Sequence, residues 1–97
     1  MKKCWSVLTD DMSHCYITDL NVVHIHHIFN GSRKAASEER GFLVPLHPTL
    51  HTLGPESVHM NPNKGLDLRL KQDCQRYYEK HYGTREEFIQ EFGRSYL

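Results

Sequence analysis

Residues 21–30, Asn-Val-Val-His-Ile-His-His-Ile-Phe-Asn, place three imidazoles inside what otherwise has the composition of a buried β-strand. Val, Ile and Phe favour a pleated, half-buried surface, and the Asn-Gly-Ser at positions 30–32 is typical of a turn. Burying imidazoles side by side is unfavourable unless their ring nitrogens bond to something. The stretch therefore predicts a strand whose histidines share partners supplied from elsewhere in the chain.

A second apolar run, residues 42–46, predicts a strand that pairs with the first one. Pro45 within it indicates an edge position, because proline cannot donate a hydrogen bond to a neighbouring strand. The connecting residues 33–40 carry mixed charge and suit a short helix. The sequence thus predicts two strands joined by a partly helical loop.

Two further histidines follow the second strand. Pro48 suits the first turn of a helix, where a missing N–H costs nothing, and this would place His51 about one turn inside. Gly54 and Pro55 interrupt the pattern before His59. His51 and His59 therefore do not share one regular helix, and a loop must bring them together.

The C-terminal part of the chain is predicted to be helical, whereas the N-terminal part is predicted to be extended. Apolar residues and a histidine at positions 66, 70, 74, 77 and 81 predict an amphipathic helix from about Gly65 to His81. Residues 84–87, Thr-Arg-Glu-Glu, form a capping box that opens a final helix closed by Gly93. Near the N-terminus, residues 4–8 predict an edge strand or an extended arm, and residues 15–18 a brief strand, both as cover for the sheet.

Composition narrows the class of protein. The 97 residues predict a single domain, 1–97, with a core at about 15–62 and a helical part at about 63–97. The net charge is zero with histidine neutral, which argues against a strongly basic nucleic-acid coat and leaves room for a local basic patch. No apolar run reaches the ~18 residues of a membrane span and no apolar signal segment opens the chain, so we expect a cytoplasmic protein without membrane contact. The three cysteines show no CxxC spacing, so we expect free thiols.

Several of these features, taken in order, resemble the HNH endonucleases, also called the His-Me finger or ββα-metal family. They are His26-His27-Ile28, the strand at 42–46, Pro-Thr-Leu-His at 48–51, Val-His at 58–59, Leu-Asp-Leu-Arg-Leu-Lys-Gln at 66–72 and Thr-Arg-Glu-Glu-Phe at 84–88. The likeness spans roughly residues 15–97 and extends to small phage-encoded HNH-type nucleases. It implies an α+β fold, with a ββα-metal core, a short antiparallel β-hairpin and C-terminal helices. It also implies metal-dependent hydrolysis of DNA phosphodiester bonds, in a bacterial host cell if the chain is phage-encoded.

Carried onto this sequence, the resemblance implies that His27 is the general base. It implies that His26, His51 and His59 hold one divalent metal ion, with the oxygen of Asn61 as an alternative ligand. Three imidazoles favour Zn²⁺, Ni²⁺ or Mn²⁺, whereas an oxygen from Asn61 in place of His59 would favour Mg²⁺. An unperturbed imidazole, with a pKa of about 6.5, can take a proton from water at pH 7.

Arg33 and Lys34 lie six and seven positions beyond His27 and are the candidate phosphate contacts, with a merely solvated charged face as the alternative. A geometric alternative concerns the metal pair. Neighbouring strand residues face opposite ways, so His26 and His27 reach one site only if the strand ends or bulges there. In a regular strand, His24 and His26 would share a face and form the pair instead.

The sequence also departs from the HNH pattern. The middle Asn of the motif has no match, since Gly41-Phe42 occupies the expected region, and the Cys pairs that bind structural zinc in many HNH proteins are missing. An HNH scaffold that is catalytically weak or inactive, and binds nucleic acid or a host protein, is therefore the alternative function. A purely structural metal domain is a third. The expected partner is DNA, with a homodimer and a phage or host protein as further candidates.

Overall fold

Two short strands form an antiparallel hairpin in the computed structural model, which describes residues 4–97. Strand β1 is His24–His27 and strand β2 is Leu43–Leu46, with His24 opposite Leu46 and His27 opposite Leu43. β2 is buried along its whole length, whereas in β1 only His26 is fully buried. The predicted pairing is confirmed, and both strands are edge strands because the sheet of the described residues contains two.

The connection between the strands contains helix α1, Lys34–Arg40, which follows a single 3₁₀ turn at Gly31–Arg33. Ser37 is fully buried and fixes α1 to the chain just beyond β1. Its Oγ donates to the Phe29 carbonyl at 2.7 Å and accepts from the Phe29 N–H at 3.0 Å. One side chain thus satisfies both backbone groups of a buried residue, and the predicted helical loop is confirmed.

Two C-terminal helices have the bounds that the sequence predicts: α2 is Gly65–His81 and α3 is Arg85–Phe92. The predicted capping box is formed, since Thr84 Oγ1 accepts from the Glu87 N–H at 3.2 Å and the Glu87 carboxylate accepts from the Thr84 N–H at 2.9 Å. Within residues 4–97, no helix is both long enough and apolar enough to cross a membrane. The cysteines carry free thiols, as expected: Cys4, Cys15 and Cys74.

An aromatic core joins the hairpin to the C-terminal helices. Phe29 and Phe42 flank α1, and their rings meet Phe92 of α3 with centroid distances of 4.5 and 5.4 Å. Phe88 lies 5.0 Å from Phe92 and is fully buried. Aromatic pairs of this kind contribute about 0.5–1.5 kcal/mol each beyond the area that they bury. Although α3 is short, it is therefore an integral part of the core.

A polar link also connects α1 to α3. The Arg40 guanidinium donates to both carboxylate oxygens of Glu91, at 2.7 and 3.1 Å. The Tyr78 hydroxyl donates to the same carboxylate at 3.0 Å, and the Tyr82 hydroxyl donates to the Arg40 carbonyl at 3.0 Å. A bidentate Arg–carboxylate pair fixes orientation as well as distance. α1 is therefore held at its C-terminal end as well as at Ser37.

The predicted edge strand at residues 4–8 is not formed: residues 4–6 have no regular secondary structure and the chain bends at residues 7–8. Val7 N–H donates to the Gly41 carbonyl at 2.9 Å, and the Trp5 indole lies directly over Gly41. Gly41 has φ 76°, the left-handed region that favours glycine, and a Cβ there would come within 2.7 Å of the indole. The segment covers the end of α1 without adding a strand.

The predicted strand at residues 15–18 is also wrong, because these residues form a turn. Asp19 N–H donates to the Cys15 carbonyl at 2.9 Å, and Asp19 itself has a φ of 64°. The chain reverses before a ladder can extend. One backbone hydrogen bond, from Tyr16 N–H to the Pro45 carbonyl at 2.9 Å, connects this turn to β2.

Candidate metal centre

Three histidines from three parts of the chain converge. His26 comes from β1, His51 from the helical segment Thr49–Leu53, and His59 from the loop that follows. One ring nitrogen of each residue lies within 4.8 Å of those of the other two. The ring centroids of His51 and His59 are 4.6 Å apart, and His26 lies 5.2 Å from His51 and 5.4 Å from His59. The structure thus brings together the three residues that the sequence nominates as metal ligands.

Local hydrogen bonds explain how the loop returns His59 to His51. The His59 N–H donates to the His51 carbonyl at 3.2 Å, and the preceding Val58 N–H donates to the Leu50 carbonyl at 2.8 Å. Pro48 immediately precedes the helical segment, as expected, and His51 lies inside it. The interruption at residues 54–55 is therefore what permits the two histidines to face each other.

Asn61 has a different place from the one proposed for an alternative ligand. Its Nδ2 donates to the carbonyls of Pro55 and Ser57, at 2.8 and 2.9 Å. Because both partners are acceptors, the amide nitrogen must face them, and the side chain closes the loop between His51 and His59. These bonds engage only the amide nitrogen; the use of the Asn61 oxygen as an alternative ligand, which would favour Mg²⁺, stays a prediction.

The surroundings of His26 and His51 hold these two imidazoles neutral. His26 is only 3% exposed, and burial, followed by the nearby His51 and His59, lowers its pKa to about 3. Burial and the neighbouring His59 and His24 lower the pKa of His51 to about 4. Neutral imidazole is the form that binds metal ions. Near pH 7 these two ligands therefore need not lose a proton before a metal binds.

One atom of the cluster is left unsatisfied within residues 4–97: the buried Nε2 of His26 has no hydrogen-bond partner. Burying such a group without a partner is unfavourable, and a metal ion bound between the rings would satisfy it. Three imidazole nitrogens suit a borderline transition metal, and three protein ligands leave a coordination position open for reaction. The unsatisfied nitrogen of His26 and the set of three imidazole donors therefore both fit a divalent ion.

His24 borders the cluster from its exposed side. Its Nδ1 lies 3.0 Å from Nδ1 of His51, and the other ring nitrogen of His51, Nε2, lies 3.1 Å from Nε2 of His59. His24 does share a face with His26, as a regular strand requires. However, the converging group consists of His26, His51 and His59, and His24 contacts it through His51.

A cavity of about 370 Å³ opens over the cluster and includes His27. Because β1 ends at His27, this ring and that of His26 both reach the cavity despite being adjacent in sequence. The Nε2 of His27 lies 2.8 Å from Oε1 of Glu38 on α1. The lining residues are Ile25, His26, His27, Asn30, Gly31, Lys34, His51 and His59.

The two predicted phosphate contacts separate in the structure. Lys34 lines the cavity, whereas Arg33 does not. The Arg33 guanidinium instead donates to the Glu91 carbonyl at 3.0 Å, near the end of α3. Lys34 is therefore the cation available to an anionic ligand at this site, and Arg33 is a tie between the loop and α3.

Two features of the described residues were not foreseen. One is Glu38 beside His27, for which a position on the predicted loop helix was the available signal. The other is an exposed group at the N-terminal turn, Asp11, His14 and Asp19, whose ligand atoms also lie within 4.8 Å of one another. His14 Nδ1 there lies 2.8 Å from Asp11 Oδ2, so the imidazole is already engaged by a carboxylate.

Comparison of the chain with protein-family models, with curated proteins and with solved structures gives no match in any of the three. The function must therefore be inferred from the residues and distances of the site. Those distances distinguish a cluster that can hold a cation, His26, His51 and His59, from a neighbouring imidazole, His27, that lies outside it.

Proposed function

We propose that the protein is a metal-dependent endonuclease that hydrolyses DNA phosphodiester bonds on a ββα-metal core. The observation that carries this proposal is the convergence of His26, His51 and His59 beside a cavity that also holds His27. β1, β2 and the helical segment Thr49–Leu53 occur in ββα order along the chain, with α1 in the connection between the two strands. The resemblance of the sequence to HNH endonucleases nominated these same four histidines.

His26, His51 and His59 are the residues that would hold the metal ion. When bound, a divalent ion supplies positive charge that stabilises the phosphate and the departing 3′ oxygen. His26 contributes a nitrogen that has no other partner among residues 4–97, and this favours its use as a ligand over a structural hydrogen bond. The preference of imidazole nitrogen for borderline metals favours Zn²⁺, Ni²⁺ or Mn²⁺ over Mg²⁺.

His27 is the proposed general base. Its ring takes a proton from a water molecule, whose oxygen forms a bond to phosphorus while the bond from phosphorus to the 3′ oxygen breaks. The departing oxygen takes up a proton from solvent, so that the products are a 3′-hydroxyl and a 5′-phosphate. General-base assistance of this kind contributes about 10²- to 10⁴-fold to the rate.

Lys34 is the proposed phosphate contact, and Arg33 provides a matched control on the same turn. Because the net charge is zero, DNA binding should be weak and salt-sensitive. Lys34→Ala should weaken binding of all DNA sequences alike and reduce the slope of log affinity against log salt by about 1. Arg33→Ala should leave that slope unchanged, which fluorescence anisotropy at several salt concentrations would show.

The direct test is a plasmid-nicking assay with metal-free protein supplied in turn with Mn²⁺, Mg²⁺, Ni²⁺ and Zn²⁺. His27→Ala should lose about 10²- to 10⁴-fold in rate while retaining zinc affinity. His59→Ala should lose both, and His81→Ala, on the exposed end of α2, should lose neither. Full activity of His27→Ala would refute the assignment of the base, and no cleavage with any of the four metals would refute the endonuclease.

A non-catalytic accessory protein built on the same scaffold is the second candidate. The observation that favours it is a short segment of the chain before β1 in which three apolar residues are exposed, where Ile17, Leu20 and Val22 are 49, 51 and 58% exposed. A contiguous exposed apolar surface marks a protein-interaction site in many proteins. Metal affinity without cleavage of single-stranded, duplex or branched DNA would support this candidate, with a phage or host protein as partner.

A further inference from the structure

The carboxylate of Glu38 meets His27 from helix α1, with Oε1 2.8 Å from the ring Nε2. The His27 side chain is 19% exposed and that of Glu38 is 35% exposed, so the pair is partly shielded from water. We propose that Glu38 is a positioning residue that holds the His27 ring with Nε2–H toward the carboxylate and Nδ1 toward the substrate water. The catalytic part of this inference rests on the proposed endonuclease function.

The hydrogen-bonding capacity of the two groups decides the tautomer. An ionised carboxylate only accepts hydrogen bonds, so the nitrogen that faces it must carry the hydrogen. In neutral His27 the hydrogen is therefore on Nε2, and Nδ1 carries the lone pair. No residue within 4–97 makes a hydrogen bond to Nδ1 of His27, which leaves that atom available to a ligand of the cavity.

Helix α1 is fixed firmly enough to position a ring. Ser37, the residue before Glu38, exchanges two hydrogen bonds with Phe29, just two residues beyond His27. Arg40, two residues after Glu38, is bound by both oxygens of Glu91 on α3. A carboxylate on an element held from two sides sets the orientation of its partner more closely than one on a free loop would.

One face of α1 serves the site as a whole. Lys34 and Glu38 are four residues apart on the helix, a spacing that places side chains on the same face. Lys34 lines the cavity and Glu38 contacts His27, which lines it too. The helix thus presents a cation where a phosphate would lie and an anion behind the base. When His27 becomes charged by taking the proton, that anion stabilises it.

The matched variants are Glu38→Ala, which removes the acceptor, and Glu38→Gln, which keeps an acceptor oxygen without the charge. Glu39→Ala, at the exposed neighbouring position, is the control. The first measurement is the tautomer of His27, read from the ¹⁵N shifts of its ring in zinc-free protein at neutral pH. We expect Nε2–H in the wild type, Glu39→Ala and Glu38→Gln, and a mixture of both tautomers in Glu38→Ala.

The second measurement is single-turnover cleavage of duplex DNA, alongside zinc affinity by calorimetry. Glu38→Ala should lose about 10- to 100-fold in the rate at saturating DNA. This is the range found when the hydrogen-bond partner that orients a residue of a metal site is removed. Its KM for DNA and its zinc affinity should stay at wild-type values. Glu38→Gln should recover part of the rate, because its amide oxygen still accepts from Nε2–H but carries no charge to stabilise the protonated ring.

The outcomes separate this inference from the proposed function. If Glu38→Ala keeps the Nε2–H tautomer, or cleaves at the rate of Glu39→Ala, the positioning role is overturned. A fall in rate with an unchanged tautomer overturns it as well. If the wild-type protein cleaves no DNA, the endonuclease proposal fails, and the tautomer shift alone then decides whether Glu38 orients His27. Should Glu38→Ala not fold, the recovery of tautomer and rate by Glu38→Gln is measured against Glu38→Leu.

Discussion

Replacing His26 with leucine separates the destabilisation that the buried imidazole causes from its proposed role as a metal ligand. The ring is 3% exposed and its Nε2 has no hydrogen-bond partner in residues 4–97. An unsatisfied buried polar group costs about 1–3 kcal/mol. We therefore expect His26→Leu to increase the free energy of unfolding of the metal-free protein by about 1–3 kcal/mol at pH 7.5, where the imidazole is neutral in both states.

The increase in the free energy of unfolding of His26→Leu over the wild type should be larger at acidic pH. Burial, followed by the neighbouring His51 and His59, lowers the pKa of His26 to about 3 in the folded protein, whereas an imidazole in the unfolded chain titrates at about 6.5. Between these values the unfolded state binds more protons, so the stability of the wild type falls as the pH falls. From pH 7.5 to pH 5 a group with these two pKa values loses about 2 kcal/mol. The variant has no such group and should not share this loss.

Zinc should reduce the stability advantage of His26→Leu, and at pH 7.5 it should reverse that advantage if the advantage is below about 2.7 kcal/mol. A ligand that binds only the folded state, at a concentration 100 times its Kd, adds about 2.7 kcal/mol to the free energy of unfolding. His26→Leu loses one of three ligands and should gain much less, whereas His81→Leu, outside the cluster, should respond to zinc as the wild type does.

Urea denaturation followed by circular dichroism measures all of these quantities, at pH 5 and pH 7.5, with chelator or with zinc. The decisive quantity is the difference between wild type and His26→Leu at pH 5 minus the same difference at pH 7.5, because changes in packing cancel from it. An increment near zero would show that His26 is not held neutral by the fold. Equal stabilisation of both proteins by zinc would show that His26 is not a ligand.

Three further substitutions test the elements that position the site. Ser37→Ala removes both hydrogen bonds to the buried Phe29 backbone and should destabilise the fold by about 1–3 kcal/mol; urea denaturation measures this, and a loss below ~0.5 kcal/mol would contradict it. Gly41→Ala places a Cβ 2.7 Å from the Trp5 indole at a left-handed φ, so it should cost more than about 1 kcal/mol and lower the melting temperature; an unchanged temperature would refute the close packing. Thr84→Ala removes the N-cap of α3 and should cost about 1 kcal/mol, with Thr84→Ser, which keeps the hydroxyl, as the control that stays near wild type.

The C-terminal helices are the part of the fold that the local sequence predicts most completely. The apolar spacing from Gly65 to His81 lies within one helix, and the capping box of α3 lies within four residues. Both signals act over a few residues, so no distant contact was needed to predict them. The strands predicted near the N-terminus are not formed for the converse reason: the left-handed turn at Asp19 and the cover of Gly41 by Trp5 outweigh a weak preference for strand.

For the candidate site too, some predictions followed from the sequence and others depended on distant contacts. The grouping of His26, His51 and His59 was expected from the ordered resemblance, and the structure places them together. The partners of the other nominated residues depend on long-range contacts that no local pattern contains. Glu38 reaches His27 across 11 residues of sequence, and Glu91 takes Arg33 across 58. A basic residue near a proposed site cannot be assigned to it from spacing alone.

The tie between α1 and α3 implies an order of assembly. Arg40 emerges from the ribosome long before Glu91, its partner 51 residues later. Until that partner has been synthesised, the nascent chain has β1, β2 and the histidines but lacks the brace that steadies the segment bearing Glu38. We expect a chain paused before residue 85 to bind zinc more weakly than the full chain does, because the segment that bears Glu38 is not yet held by α3.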